Sequence, residues 1–463
     1  MPRPVLDWRR LLTADLDPVR LGGGLGVARQ LALAAAVALP GLFWALDWRL
    51  LSLWLAEALA VAALVTDRSA RPAWRHTLLI PALVFAAVIT LAAFTARYPV
   101  LAWHGAFDRQ DGAFTLFGYL ALAVLPPLLL SRWAEARPLL GAVLVFVTLQ
   151  AAFALVQFFG AVPGFITAHL PGWYWQAQFA EGLFNSPALA ASAFALGLAA
   201  AGCLYAAGGS RWHLGAAAIL TPALLATLTR GAWLGVVLAL AVGLFLLRGR
   251  LSGRRLAALA AVCLVAAAAI TATAPNLRKK LLTTIGDLSG ATLCVTGRGC
   301  PADTAESIPV EPDYNSVVQR VVIYQVGLQA VLARPWLGWG PDSFEVAWNA
   351  LRDRSTLYTF GLLYRVDKAH SDLLQVAVST GLAGLAAYLW LLFAAGRLAG
   401  RGAGRPGREG AERVAVAAGA LAFWLASQVT ITHVSAAPLF WLCLGLLAVA
   451  PDADAMAVNP TTH

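Results

Sequence analysis

Charge is scarce in this chain. Asp, Glu, Lys and Arg make up 13% of its 463 residues, against about a quarter in a soluble globule. Hydrophobic residues make up 60%, and the mean hydropathy is +0.71, so a water-soluble domain is excluded. Acidic residues are almost missing from the apolar runs, Glu57 being the conspicuous one; a proton-coupled transporter usually shows more. Also absent are a Gly-Lys phosphate loop, a Ser/His/Asp signature, a dinucleotide fingerprint and a His/Cys metal cluster. Cysteine is sparse as well. Of five, Cys203, Cys263 and Cys443 fall inside apolar runs and read as small packing residues.

What is present is a series of apolar runs, each long enough to cross a ~30 Å hydrocarbon core as a helix. Spans are expected near 28–46, 50–66, 77–96, 113–131, 139–160, 187–207, 213–229, 232–247, 256–274, 371–395, 414–432 and 435–450. The fold class is therefore all-α: a polytopic membrane protein of about 12 transmembrane helices, with one large outer loop containing short helices. Residues 1–27 form an N-terminal inner segment, 28–450 the membrane domain including the loop 275–370, and 451–463 a tail. No cleavable signal peptide is read in the first 27 residues, which are too polar.

The net charge of +10 sets orientation. Arginines gather on alternate connections: Arg3, Arg9, Arg10, Arg20 and Arg29; Arg68, Arg71 and Arg75; Arg132 and Arg137; Arg211; Arg248, Arg250, Arg254 and Arg255; and Arg397, Arg401, Arg405, Arg408 and Arg413. The short connections between them carry only Arg49, Arg97, Arg109 and Arg230. The positive-inside rule then puts both termini in the cytoplasm and the long loop outside. The basic excess is an orientation signal and predicts no nucleic-acid partner. The Gly/Arg-rich inner stretch 397–413 is expected to be flexible and to meet anionic lipid.

Within the loop, 275–312 reads as irregular. Cys294 and Cys300 lie there in Cys-Val-Thr-Gly-Arg-Gly-Cys, and an oxidising compartment would join them as a disulfide; the alternative is two reduced thiols. Apolar spacing predicts a helix from Asn315 to Leu332. Arg334-Pro335 breaks it, Gly338-Trp339-Gly340-Pro341-Asp342 forms a turn, and Phe344–Leu351 forms a short amphipathic helix. The loop is expected to lie as a cap over the outer surface.

Several polar side chains stand at the membrane edge of this face. Arg230, between two spans, reads either as an anion clamp, since guanidinium binds phosphate oxygens in bidentate fashion, or as an arginine snorkelling to the interface. Arg320, on the loop helix with Val317, Val321 and Tyr324 near it, reads as an anion ligand or as a solvated or carboxylate-paired arginine. His370 opens a span two residues before Asp372. It is either a plain helix-start residue or a general base tuned by a neighbouring carboxylate. Arg109 sits between Asp108 and Asp111, and that arginine argues against a metal on the acidic pair. Asn185 is a hydrogen-bonding candidate at the edge of the 187–207 span.

Together these segments resemble the O-antigen ligase/polymerase family of bacterial membrane glycosyltransferases. The resemblance runs from about 105 to 445. It rests on Gly105…Asp108-Arg109-Gln110…Gly112, Gly182-Leu183-Phe184-Asn185 and Leu228-Thr229-Arg230-Gly231-Ala232-Trp233-Leu234-Gly235. Most specific are Arg320…Tyr324…Arg334-Pro335-Trp336-Leu337-Gly338-Trp339-Gly340-Pro341-Asp342-Ser343-Phe344 and His370-Ser371-Asp372-Leu373-Leu374-Gln375…Thr380-Gly381-Leu382-Ala383-Gly384. Ser371 stands where the family often has Asn, and Asn185-Ser186-Pro187 where it often has Asn-Pro-Asn.

The resemblance implies about twelve spans and one large periplasmic loop in the bacterial inner membrane. It implies metal-independent, inverting transfer of a glycan from undecaprenyl diphosphate to a hydroxyl, with no cofactor. The acceptor would be lipid A-core for a ligase or a growing glycan for a repeat-unit polymerase; a protein-glycosylating relative is a third form. Arg230 and Arg320 would contact the donor diphosphate and His370 would activate the acceptor, with Arg109, Asn185, Asp372 and Trp339 binding substrate. The reading from a different class is a transporter of polysaccharide or lipid-linked oligosaccharide, which would need charges inside the spans.

Overall fold

The structure is a computed structural model. It describes residues 23–42, 76–107, 109–162, 180–184, 186–284, 316–353 and 365–452, with isolated positions at 53–54, 57–58, 61, 356 and 360. Its regular elements are helices: α1 (Gly23–Leu42), α2 (Leu79–Thr95), α3 (Pro99–His104), α4 (Ala113–Leu129), α5 (Trp133–Phe158), α6 (Pro187–Ala206), α7 (Arg211–Ala226), α8 (Arg230–Leu246), α9 (Gly253–Thr273), α10 (Ser316–Ala333), α11 (Phe344–Leu351), α12 (Asp372–Ala403), α13 (Gly407–Ser427) and α14 (Ala437–Leu447). A helix falls on each expected span except 50–66, most of which lies outside the described residues. Among the described residues four helices, α5, α6, α9 and α12, are long and apolar enough to cross a membrane. Others, such as α2, α4, α8 and α14, are apolar but shorter.

Helix α6 forms the centre of the bundle. Ser186 caps it through a 3.3 Å bond from the Ala188 amide, and Pro187 supplies the first helical residue, where a missing N–H costs nothing. Every residue from Leu189 to Ala206 is buried, and most are Ala or Gly. Small side chains let neighbouring backbones approach closely, and α5, α7, α8 and α13 pack around this helix. Helix α9 lies at the periphery, with 11% of its most apolar stretch buried. Helices α10 and α11 pack on each other and on α12, forming the cap.

Two features differ from expectation. The span at 371–395 is not one continuous helix: α12 runs on to Ala403 and breaks at Gly381, where φ is 67° and ψ is −170°. The expected flexible stretch 397–413 is largely helical, with only 404–406 between α12 and α13. Arg250 holds this tight link by donating to the carbonyls of Arg405 and Gly407.

A dense ionic cluster sits at the same end of the bundle. Glu412 accepts from Trp133 Nε1 at 2.7 Å, Arg137 Nε at 2.8 Å and Arg408 Nε at 2.7 Å. Arg413 donates to Glu409 at 2.8 Å and lies 4.3 Å from the centre of the Trp133 ring. It also donates to the Leu447 and Val449 carbonyls, satisfying the C-terminal groups that a helix such as α14 leaves open.

Candidate functional site

At the opposite end, the two most specific motifs of the sequence interlock. The Trp339 amide donates to the Val378 carbonyl at 2.8 Å, Gly340 N–H to Ser379 O at 3.0 Å, and Leu382 N–H to Pro335 O at 2.7 Å. The break at Gly381 frees the backbone groups of α12 that these bonds use. Gly338 (φ 68°) and Gly381 lie against each other's strands of chain, so a Cβ at either would meet backbone atoms. The cap is thus clamped to the break in α12. Trp339 is 7% exposed, its indole donates to Ala330 O at 2.9 Å, and Arg334 lies over its ring. It packs with Val326, Phe344, Ala347 and Trp348 in the core of the cap.

Between cap and bundle runs the irregular segment 365–371, and five consecutive residues of it are tied to different parts of the molecule. Asp367 pairs with Arg109. Lys368, with its side chain 6% exposed, bridges Asp111 at 2.9 Å and Asp342 at 2.7 Å. The Ala369 amide donates to Gln375 Oε1 at 2.8 Å. The Tyr324 hydroxyl donates to the His370 carbonyl at 3.0 Å and shares that proton with the Gln428 carbonyl at 3.2 Å. Ser371 Oγ accepts from the Leu374 amide, capping α12, and lies 3.4 Å from Gln428 Oε1.

These ties hold a strained backbone. His370 has φ 52°, and among the described residues the non-glycine positions with positive φ are Gln110, Leu228, Asp342 and His370. Each costs about 1–2 kcal/mol, and such residues persist where their surroundings over-determine them, often at functional sites. All four stand in or beside the singled-out motifs: next to Arg109, two residues before Arg230, in the cap turn, and at the histidine itself.

The electrostatics follow from the same geometry. Burial, then the Arg320 and Arg109 cations, push the His370 imidazole down to about 4, with Asp367 acting in the other direction. His370 is therefore neutral at pH 7, with a lone pair available. Burial raises the Tyr324 phenol, against the pull of Arg320, so it stays a donor. Burial works against the Asp367 carboxylate, yet Arg109 beside it holds it below the usual range. Burial also works against the Lys368 ammonium, but Asp111 and Asp342 outweigh it and raise its pKa.

The expected site residues therefore separate. His370, Arg320 and Arg109 share one electrostatic neighbourhood. Arg230 opens α8 beside Gly231, which lies tightly against Val429, next to Gln428 and thus at the rim of the same junction. Asp372 accepts from the Tyr388 hydroxyl at 2.6 Å. It lines a separate cavity of about 730 Å³, open mouth included, together with Lys368, Asp111, Asp342, Gln375 and Tyr388. Trp339 lies in the cap core. Asn185, Cys294, Cys300 and Asp108 lie outside the described residues.

Lys368 and Asp367 were not singled out from the sequence, although Lys368 carries a signal. The chain uses arginine almost throughout, its only lysines being Lys279, Lys280 and Lys368, and a compact ammonium suits a seat between two carboxylates better than a planar fork does. Asp111, weighed above as half of a metal pair, has Lys368 as its cation. Among the described residues no group of three or more His, Cys, Asp or Glu is arranged to hold a metal.

Residues 215–389 match a family model described as O-antigen ligase. That stretch extends from α7 to the first part of α12 and contains Arg230, Arg320, Lys368 and His370. No curated protein matches the chain.

Proposed function

We propose that this chain is a metal-independent, inverting glycosyltransferase of the ligase type within the O-antigen ligase/polymerase family, a reading supported by the match of residues 215–389 to the O-antigen ligase family model. The donor is a glycan on undecaprenyl diphosphate, and the acceptor a hydroxyl of lipid A-core at the periplasmic face of the inner membrane. The alternation of arginine-rich connections supports this orientation: with twelve spans and both termini in the cytoplasm, the cap and His370 would face the periplasm. The observation that carries the reading is the neutral His370, held at φ 52° within the fields of Arg320 and Arg109.

His370 accepts the proton of the acceptor hydroxyl as its oxygen attacks the anomeric carbon. The bond from that carbon to the diphosphate oxygen breaks on the opposite face, inverting the centre. The electron pair leaves with undecaprenyl diphosphate. Arg230 and Arg320 meet the growing negative charge, and fixed cations in a poorly hydrated site make this kind of contribution large. Binding the diphosphate also offsets the arginine charges that hold the imidazole pKa down, so the base strengthens once the donor is seated. Arg109, tied to Asp367, shapes the same field from the bundle side.

The test is transfer in proteoliposomes supplied with undecaprenyl-diphosphate-linked oligosaccharide and core acceptor. Full turnover is expected in excess chelator, with loss of transfer in His370→Ala. Wild-type turnover in His370→Ala would remove the base from the mechanism. In a deletion strain, undecaprenyl-linked long chains without capped core support the ligase reading. Core bearing single repeats instead makes the protein a polymerase.

A further inference from the structure

Three parts of the molecule meet at one ammonium. Asp111 belongs to the connection 105–112, which closes on itself: a Cβ on Gly105 would lie 2.7 Å from the Gly112 amide nitrogen. Asp342 belongs to the cap turn, which is fixed to α12 by the Trp339 and Gly340 backbone bonds. Each carboxylate also has a second partner: the Ala106 amide, from the same connection as Asp111, donates to Asp342 Oδ2 at 2.7 Å, and the Tyr119 hydroxyl donates to Asp111 Oδ1 at 3.3 Å. Both are thus anchored independently of residues 365–371. Lys368 comes from the segment that has no regular structure of its own, and it reaches both anchors at hydrogen-bond distance. It stands two residues before the strained His370.

We infer that Lys368 is a positioning residue: its bridge to Asp111 and Asp342 fixes the segment 367–371 so that His370 keeps its left-handed backbone and presents its imidazole to the acceptor. The inference rests on the glycosyltransferase reading for its kinetic consequence, while its structural part stands apart from it. Lys368 takes no part in binding the donor. Its loss therefore lowers the rate of the chemical step and leaves donor recognition alone. A misplacement of about 1 Å at a reacting group is worth about 10²-fold in rate.

Replacing Lys368 alone strands two buried carboxylates, so the test uses the uncharged set Asp111→Asn, Asp342→Asn and Lys368→Met in the full-length protein, reconstituted in proteoliposomes. Expected are a kcat about 10²-fold lower, an unchanged KM for the lipid-linked donor, and faster amide hydrogen exchange confined to peptides covering 365–371. A wild-type kcat overturns the inference. So does exchange that spreads through α10 and α11 with kcat and KM worsening together, which marks a merely structural bridge. If the wild-type protein itself transfers no glycan, the functional reading fails, and the exchange pattern still decides whether Lys368 fixes the segment.

Discussion

Two buried charge clusters occupy opposite ends of α12 and α13, and they are built differently. The cluster around Glu412 and Arg413 stands on regular helix. Arg413 pairs with Glu409 and Arg408 with Glu412 across one turn, and the remaining bonds run between regular helices, from Arg137 and Trp133 of α5 to Glu412, or close the end of α14. The cluster around Lys368 joins irregular segments, and at or beside its three charged groups stand three non-glycine residues with positive φ, Gln110, Asp342 and His370. Charges on helices brace the scaffold, where neighbours along the chain already fix their geometry. Charges on strained loops fix a conformation that the chain would otherwise leave, which is the condition under which a catalytic side chain can be held ready.

The contrast is broken most sharply by exchanging effects between the two ends. Arg320→Ala is expected to lower transfer by on the order of 10³-fold while the melting temperature stays close to wild type; a large drop in melting temperature would make Arg320 a scaffold residue. At the other end Glu412→Ala removes the partner of Trp133, Arg137 and Arg408. It should cost roughly 3–5 kcal/mol of stability in thermal or denaturant unfolding, with turnover per folded molecule unchanged. Lost turnover in the folded fraction would contradict a purely bracing role.

Gly381→Ala sits between these extremes. It forces a side chain onto φ 67° and against the Trp336 backbone, costing about 1–3 kcal/mol and loosening the cap from α12. Partial loss of both stability and turnover is expected, and an effect on neither would mean that the break is not what seats the cap. The smallest effect is in pH. Because burial and two arginine cations lower the His370 pKa to about 4, kcat/KM should stay level as pH falls from neutrality to near 5. It then drops as the imidazole protonates around 4. An acid limb near 6.5 would mean that His370 is ordinarily solvated in the free enzyme.

Much of this arrangement was legible from the residues. The apolar pattern from Asn315 to Leu332 corresponds to α10, Phe344–Leu351 is α11 to the residue, and the division of 213–247 into two helices falls at Thr227–Thr229. Composition and 3.6-residue spacing determine such elements locally. The break at Gly381 was not legible, since an isolated glycine inside an apolar run looks like a tolerated packing residue until a second segment is seen to bond into the gap. Lys368 was missed for a related reason: its partners lie 257 and 26 positions away, and no local period encodes such a meeting. The stretch 397–413 was misjudged because its Gly and Arg content suggests a loop, whereas helix packing and Arg250 hold it in order.

The most direct measurement is an experimental structure of the protein with undecaprenyl diphosphate bound in lipid. Phosphate oxygens are expected within hydrogen-bond distance of Arg230 and Arg320, with His370 facing the terminal phosphate from beneath the cap. A diphosphate held away from both arginines, with His370 turned into the protein, would contradict that arrangement.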